Sequence, residues 1–432
     1  MLNNLRKRPV LAKIISNASW MMAEQFSRLL IALFVGIWMA RYLGPDDFGR
    51  LSAAIAYAGI FSIVAKLGLD RIAVRELVQS AEGGGNYPLG LVATLWTLRI
   101  SAGVVCYVVC VAVVYFLGSG DLWIVAIIAL STVFSATDCI DLLFQARVAS
   151  RGAVLARSVA IFTTLGIKVI LLVCKAPLSS FVWVSLLDFA ATSLSLVLVY
   201  EARFGIPLRI RIDWPLAGRL LRESWPEILA GFSALIMIRM DQVMLRALAG
   251  PREAGIFAVA ARLSEAWYFV PLALVSSTFP RIVQYRTENP ALYLKRIQHL
   301  MVALTALSYL VILLTQILAK HVVVRLFGPE YEESAQILVI HIWSSLLISF
   351  GFACGSWIVA ERRVQLNLYR NLAGAVSNIC LNFILIPRYG AIGAAYATLA
   401  GLIVSNIFFD YFCAPLRPLN LLKMRALCLI YR

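Results

Sequence analysis

Apolar residues fill this chain in long uninterrupted runs, each closed by a short cluster of Arg, Lys, Asp, Gly or Pro. Twelve runs can be read, approximately over 14–40, 48–67, 89–117, 121–146, 153–174, 178–200, 225–249, 253–280, 298–319, 334–360, 366–386 and 390–412. A hydrocarbon core needs about 20 apolar residues in helical conformation to cross it, and runs of this length predict transmembrane helices. The first run is too long for the apolar part of a signal peptide. It also reaches Ala40-Arg41 without a small-residue cleavage site, so it is expected to stay as the first helix.

The first six runs and the last six resemble each other in one place. At an offset of 206, residues 24–54 align without a gap on 230–260, and seven of 31 positions match. The informative matches are Gly44/Gly250, Pro45/Pro251 and Gly49/Gly255, because Gly-Pro interrupts a helix and recurs between equivalent runs. An offset of six helices preserves direction through the membrane, which predicts a parallel repeat of two six-helix lobes. The boundaries expected are an N-terminal lobe over 1–202, a cytoplasmic linker over 203–224 with five arginines and two prolines, and a C-terminal lobe over 225–432.

Composition agrees with a membrane protein: 61% of residues are hydrophobic and 14% charged, against roughly one quarter charged in soluble domains. The net charge of +16 does not call for nucleic acid, because the basic residues are sorted by loop. With the N-terminus in the cytoplasm, 25 Lys and Arg fall on inner segments and eight on outer ones. This asymmetry predicts both termini in the cytoplasm of a multi-pass plasma (inner) membrane protein, with membrane lipids, anionic headgroups included, as contacts.

Charges inside the runs carry the chemistry. An ionisable group near the bilayer centre costs about 2.5–3.5 kcal/mol on the mildest scale, so it faces protein or water and often marks a pathway. The set is Glu24, Arg28, Arg99, Asp138, Asp141, Lys168, Asp188, Arg239, Asp241, Arg262 and Glu265. Arg28, Arg99, Lys168, Arg239 and Arg262 would form a positive ladder for an anion if their helices surrounded one cavity. Pairing is the competing reading. Glu24/Arg28 and Arg262/Glu265 have helical spacing for it, whereas Lys168 has no local partner, and Arg239 and Asp241 point in different directions. Asn367, Asn371, Asn378 and Asn382 form one stripe with Gly374, suited either to sugar hydroxyls or to helix packing. Asn371 and Asn378 are the candidates for the first role.

The eight cysteines and three histidines form no metal-ligand spacing, and no nucleotide loop or nucleophile constellation is present. The expectation is a protein that is not an enzyme and uses neither metal nor cofactor.

RYLGPDDFGRLSAAIAYAGIF with LGLDRIAVREL (41–77), MIRMDQVMLRALAGPREAGIFAVAARLSEAWYFVPLALVSSTFP (237–280) and ICLNFILIPRYGAIGAAYATL (379–399) resemble Wzx-type polysaccharide flippases. These belong to the multidrug, oligosaccharidyl-lipid and polysaccharide exporter superfamily. The resemblance implies an all-α, MATE-like bundle with a central cavity and alternating access. It implies export of a polyprenyl-pyrophosphate-linked oligosaccharide, an O-antigen or exopolysaccharide repeat unit, from the cytoplasmic to the periplasmic face. A polysaccharide polymerase and chain-length machinery are the implied protein partners. Cavity-facing cations would take the substrate, here Arg239, Lys168, Arg262, Arg28 and Arg99. Ion exchange, if present, would use Asp138, Asp141, Asp188 or Asp241.

The nearest rival is a cation-coupled multidrug exporter, for which a more acidic pocket is expected than five intramembrane cations suggest. A peptidoglycan-precursor flippase commonly has two further helices. A membrane-embedded polysaccharide polymerase or glycosyltransferase would show a long outer loop carrying catalytic residues, and the longest outer loop here is 320–334.

Overall fold

The structure, a computed structural model, describes the backbone of residues 9–82, 89–118, 120–146, 151–204 and 212–430, with side chains from residue 30 onward except 80–82, 89, 151 and 287. Every regular element among these residues is helical. In chain order they are α1 Pro9–Ala65, α2 Asp70–Glu82, α3 Leu89–Phe116, α4 Leu122–Ala129, α5 Ser131–Phe134, α6 Asp138–Ala146, α7 Arg151–Val173, α8 Leu178–Phe204 and α9 Trp214–Leu248. They continue as α10 Pro251–Ala266, α11 Phe269–Glu288, α12 Pro290–Phe327, α13 Glu332–His341, α14 Ser344–Ala360, α15 Gln365–Ile403, α16 Phe409–Phe412 and α17 Arg417–Leu427. A π-helical turn, Val404–Phe408, joins α15 to α16.

Nine helical stretches among the described residues are long and apolar enough to cross a membrane, or ten with the bent pair Pro329–His341 and Ser344–Ala360. Large apolar side chains face outward, Phe116 being 84% and Phe412 72% exposed, whereas Arg99, Asp241, Arg370, Asp410 and Lys423 are buried. Such a distribution is unfavourable in water and natural in lipid, where the outer surface must be apolar and polar groups are satisfied internally.

Two of the longest stretches contain a backbone break. Gly44 (φ 73°, ψ 173°) divides α1, and Gly390 (φ 55°, ψ −135°) divides α15. Gly250, just before α10, has φ 97° and ψ 177°, close to the values at Gly44. Both glycines adopt positive φ, which a Cβ disfavours, and each is followed by a proline whose fixed φ starts the next helix. The repeated Gly-Pro signature is therefore one backbone geometry used twice.

The chain forms two compact units: Met1–Met39 with Ala54–Phe232, and Ala40–Ala53 with Ser233–Arg432. In the first unit, Leu69, Leu95, Ile140, Leu143, Leu196 and Leu220 belong to one buried apolar cluster. Gly68, at φ 58°, lets the backbone pass close against Glu227 and Ile228. Arg75 grips Glu223 with two bonds of 2.6 and 2.8 Å, and Arg219 reaches Glu76 at 2.9 Å. The stretch expected as a linker over 203–224 is thus helical from Trp214, running through Pro226 without interruption, and it is tied to α2. Residues 205–211 of that stretch lie outside the described residues.

In the second unit, Phe279, Ile297, Met301, Leu304, Phe350, Ile358 and Leu419 belong to the main apolar cluster. The two halves of the sequence repeat meet here. A Cβ at Gly49 would overlap the Pro251 carbonyl, and a Cβ at Gly255 would overlap the Pro45 carbonyl. Residues 45/251 and 49/255 are the repeat pairs themselves, so the contact is reciprocal. The same device closes α15 on itself: a Cβ on Gly374 or Gly401 would crowd the carbonyl of the other at 2.9 Å.

Candidate substrate and ion sites

Within the first unit, the expected cations already have partners. Arg99 is fully buried and its Nη2 lies 2.5 Å from Asp70 Oδ1, while its Nε and Nη1 have no hydrogen-bond partner. Lys168, for which the sequence offers no local partner, meets Asp188 across the α7/α8 hairpin at 3.2 Å. Thr164 also donates to that carboxylate at 2.7 Å. The acidic candidates are engaged as well. Asp138 pairs with Lys66 at 2.7 Å, and Asp141 accepts from Arg157 at 3.0 Å and from Gln145 at 2.9 Å. Arg28 sits on the helical backbone of α1, but its side chain, like that of Glu24, lies outside the described residues.

In the second unit, two sites built from the expected charges are unbalanced among the described residues. The first is built on α9 and α10. The i, i+3 spacing suggests that Arg262 pairs with Glu265; instead Glu265 turns to Arg239, with nitrogen–oxygen distances of 3.2 and 3.3 Å. Arg262 lies over the ring of Phe48, its Cζ 5.5 Å from the centroid, and its Nη1 is buried without a hydrogen-bond partner. Phe48 is one residue before Gly49 and Arg262 two turns after Gly255, so the Gly49/Gly255 crossing carries both ring and guanidinium. Two guanidiniums thus face one carboxylate. Tyr268, hydrogen-bonded to Ser344 at 2.7 Å, and His341, bonded to Ser264 at 2.7 Å, extend the polar surface of α10 and its continuation toward α13 and α14.

The second site surrounds Asp241. Arg239 and Asp241 diverge as their spacing requires, and Asp241, 1% exposed, enters the fold of α15. Its Oδ1 accepts from Asn378 Nδ2 at 2.9 Å and Asn382 Nδ2 at 2.6 Å, and its Oδ2 accepts from Thr398 Oγ1 at 2.6 Å. All three donors are neutral. The carbonyl oxygen of Asn382 is buried beside this carboxylate with no hydrogen-bond partner. The arrangement presents oxygen ligands around a buried carboxyl group with no side-chain cation in ion-pair contact among the described residues, which is the chemistry of a site for a proton or a small hard cation. Of the asparagine stripe, Asn378 joins this network; Asn371 is half-buried and lies outside it.

Sequence reading passed over three groups. Phe48 had no polar signal. Thr398 stands as one hydroxyl in an Ala- and Gly-rich segment. Asp410 sits inside the last apolar run, where the cost of burial could have singled it out; it forms an ion pair with Lys423, with Arg370 3.9 Å away. Lys423 and Arg370, assigned to inner loops by charge counting, are buried in that cluster.

Comparison with known proteins places the chain. A family model described as polysaccharide biosynthesis protein matches residues 14–286, and the MatE model matches 226–384. The probable flippase AglR of Haloferax volcanii is 27% identical over 173 residues, which is 39% of this chain and 36% of that protein. The chain thus aligns with little more than a third of this relative's length. Among solved structures, the lipid II flippase MurJ in an inward closed conformation superposes with a TM-score of 0.68 at 13% identity, covering 94% of this chain and 90% of that one. An inward-facing multidrug resistance MATE transporter of the MOP superfamily gives 0.64 at 12% identity, covering 93% and 95%. Both likenesses are of fold. With residues 14–286 inside the family model and its apolar helices in the MATE and MurJ arrangement, this multi-pass membrane protein belongs to the polysaccharide biosynthesis protein family.

Proposed function

We propose that the protein is a flippase for a polyprenyl-pyrophosphate-linked oligosaccharide, an O-antigen or exopolysaccharide repeat unit, moved from the cytoplasmic to the periplasmic face of the inner membrane. The observation that carries this reading is the excess of cation over anion at Arg239, Arg262 and Glu265. A guanidinium held in an apolar span with a buried, unpartnered N–H is costly unless a ligand uses it, and phosphate oxygens suit its fork of donors. Glu265 holds Arg239 while the site is empty. The neutral or acidic sugars would follow the pyrophosphate while the lipid tail stays in hydrocarbon.

Twelve crossing segments suit this reading: dividing the stretches at Gly44 and Gly390 adds two to the ten that pass by length and composition. Both termini then lie on one side, the cytoplasmic one by the Lys and Arg asymmetry, and alternating access would follow from rocking of two repeats. An inside-negative potential favours outward movement of an anion by about 2.3 kcal/mol per charge per 100 mV. Asp241 is the candidate for ion coupling. Asp138, Asp141 and Asp188 are set aside for that role because a Lys or Arg already neutralises each. By the same criterion Arg99 and Lys168 become structural cations. The downstream partners are the polymerase and chain-length machinery that use the exported unit.

The test is translocation of a fluorescent polyprenyl-pyrophosphate oligosaccharide in proteoliposomes. Wild type moves the lipid, and Arg262→Gln at matched reconstitution does not. Wild-type vesicles that leave this lipid in place but export small organic cations overturn the reading in favour of a drug exporter.

A further inference from the structure

Each of the expected cations with a described side chain is engaged by a carboxylate, save Arg262. Arg99 has Asp70, Lys168 has Asp188 and Arg239 has Glu265. Arg262 is balanced by the face of Phe48. The two solutions differ chemically. A carboxylate takes the N–H groups that it accepts from: Glu265 takes both terminal nitrogens of Arg239, and Asp70 takes Nη2 of Arg99, whose Nε and Nη1 stay enclosed and unpartnered. A ring face attracts the cation through its quadrupole and offers no lone pair, so the hydrogen-bonding capacity is left. The buried Nη1 without a partner is what this predicts.

The support beneath the ring is rigid. Phe48 is 1% exposed, and its neighbour Gly49 lies against the Pro251 carbonyl at the start of α10, the helix that carries Arg262. The other half of the reciprocal contact places Gly255 against the Pro45 carbonyl. The backbones that carry ring and guanidinium are thereby referred to one helix crossing on both sides.

Resting on the reading above, we infer that Phe48 is a positioning residue for substrate. It holds Arg262 charged in an apolar setting without occupying its donors, so that the guanidinium edge can grip one phosphate of the lipid-linked substrate through two parallel N–H···O bonds. The ring does not touch substrate; it acts through Arg262. Replacing the ring with an equally apolar group should therefore weaken recognition of the anionic group and leave the transport cycle intact.

The experiment measures KM and Vmax for uptake of a geranyl-pyrophosphate-linked disaccharide into proteoliposomes, with a neutral geranyl-ether-linked disaccharide as control. Phe48→Leu should raise KM for the anionic probe about 3- to 30-fold, the range of a cation–π contact from half-exposed to desolvated. Vmax and any uptake of the neutral probe should be unchanged. Phe48→Tyr should behave as wild type. In an Arg262→Gln background, Phe48→Leu should change nothing further. If Phe48→Leu proves too unstable to reconstitute, 3,4,5-trifluorophenylalanine at position 48 keeps the shape while withdrawing the quadrupole, and should raise KM in the same way. An equal effect of Phe48→Leu in the Arg262→Gln background, an equal effect on the neutral probe, or a fluorinated ring that leaves KM unchanged overturns the inference and makes Phe48 a packing residue. An Arg262→Gln single variant with wild-type KM overturns the anion-receptor reading itself, whatever the ring does.

Discussion

Replacing Asp241 separates the charge of that site from its hydrogen bonds. In Asp241→Asn the amide oxygen can keep the two bonds from Asn378 and Asn382, at 2.9 and 2.6 Å in the wild type, while the amide nitrogen turns to Thr398. Thr398 can oblige, because its hydroxyl already reaches the Ala394 carbonyl at 2.9 Å and can donate there while accepting from the amide. Three hydrogen bonds survive but lose their charge assistance, which changes each from about 1.5–3 to about 0.5–1.5 kcal/mol. Against this loss stands relief from burying a carboxylate without a cation, a penalty of several kcal/mol in a protein interior. The expected net effect on the fold is small or favourable. Asp241→Ala is different: Asn382 keeps Asn378 Oδ1 at 3.1 Å and Thr398 keeps the Ala394 carbonyl, but the buried Asn378 donor loses its acceptor, at about 1–3 kcal/mol, and the other two lose their charge-assisted bonds. Thermal unfolding in detergent, scanned against sodium, potassium and proton concentration, should therefore rank Asp241→Asn at or above wild type and Asp241→Ala well below it. Wild type should gain about 2.7 kcal/mol at a coupling-cation concentration of 100 Kd, and Asp241→Asn should gain none from that cation. The reasoning fails if Asp241→Asn unfolds as early as Asp241→Ala, or if neither protons nor either metal cation stabilises the wild type.

Lys168 and Asp188 should behave as a structural pair: Lys168→Met costs about 1–3 kcal/mol in a melt, Lys168→Met with Asp188→Asn recovers most of it, and the double variant transports normally. Arg99 and Asp70 should be asymmetric. Asp70→Asn leaves a fully buried cation alone and destabilises by about 3–5 kcal/mol, whereas Arg99→Met removes two unsatisfied nitrogens and leaves a half-exposed Asp70 to water, at little cost by the same unfolding assay. Gly49→Ala and Gly255→Ala should each lower stability by at least about 1–3 kcal/mol because the added carbon meets backbone and cannot be accommodated by side-chain repacking. Ala at Gly59, where a Cβ meets nothing within 4 Å, is the control and should match wild type.

The crossing helices were legible because lipid imposes one simple requirement on many consecutive residues, and the runs near 89–117 and 178–200 appear as Leu89–Phe116 and Leu178–Phe204. The Gly44/Gly250 turn was legible for a related reason: Gly-Pro is a local backbone instruction. Which charges pair was not legible. Lys168 finds Asp188 only because a turn after α7 brings α8 back alongside it, and Arg262 loses Glu265 to Arg239 through the approach of a different helix. Helical spacing constrains contacts within one helix, whereas these choices are made between helices. Burial of a cation near the chain end, such as Lys423, was not legible because charge counting gives only a side of the membrane; its ammonium meets Asp410 and the Asn406 carbonyl, 2.6 Å away in the π-helical turn.

The pairing of so many intramembrane charges narrows where function can reside. Once Arg99, Lys168, Asp138, Asp141 and Asp188 are bound to partners, what is left unbalanced of the charges singled out in the sequence, among the described residues, is the guanidinium excess around Arg262 and the carboxyl group of Asp241. Both touch α9, through Arg239 on one face and Asp241 two residues on. At about 100° per residue these side chains leave the helix on nearly opposite sides, Arg239 toward α10 and Asp241 into the fold of α15. A cation arriving at Asp241 and an anion arriving at Arg262 would then pull on opposite faces of the same turn. If the two sites are used as proposed, coupling between an ion gradient and substrate would need no long chain of contacts. On the proposed reading, a small rotation of α9 on filling one site would change how tightly Arg239 holds Glu265, and thereby how much positive charge the substrate would meet. That link is reciprocal by thermodynamic necessity: a pyrophosphate-bearing ligand should shift the cation affinity of wild type by the same factor that the cation shifts the ligand's. Isothermal titration of each in the presence of the other gives both factors, and in Arg239→Gln both should fall toward one.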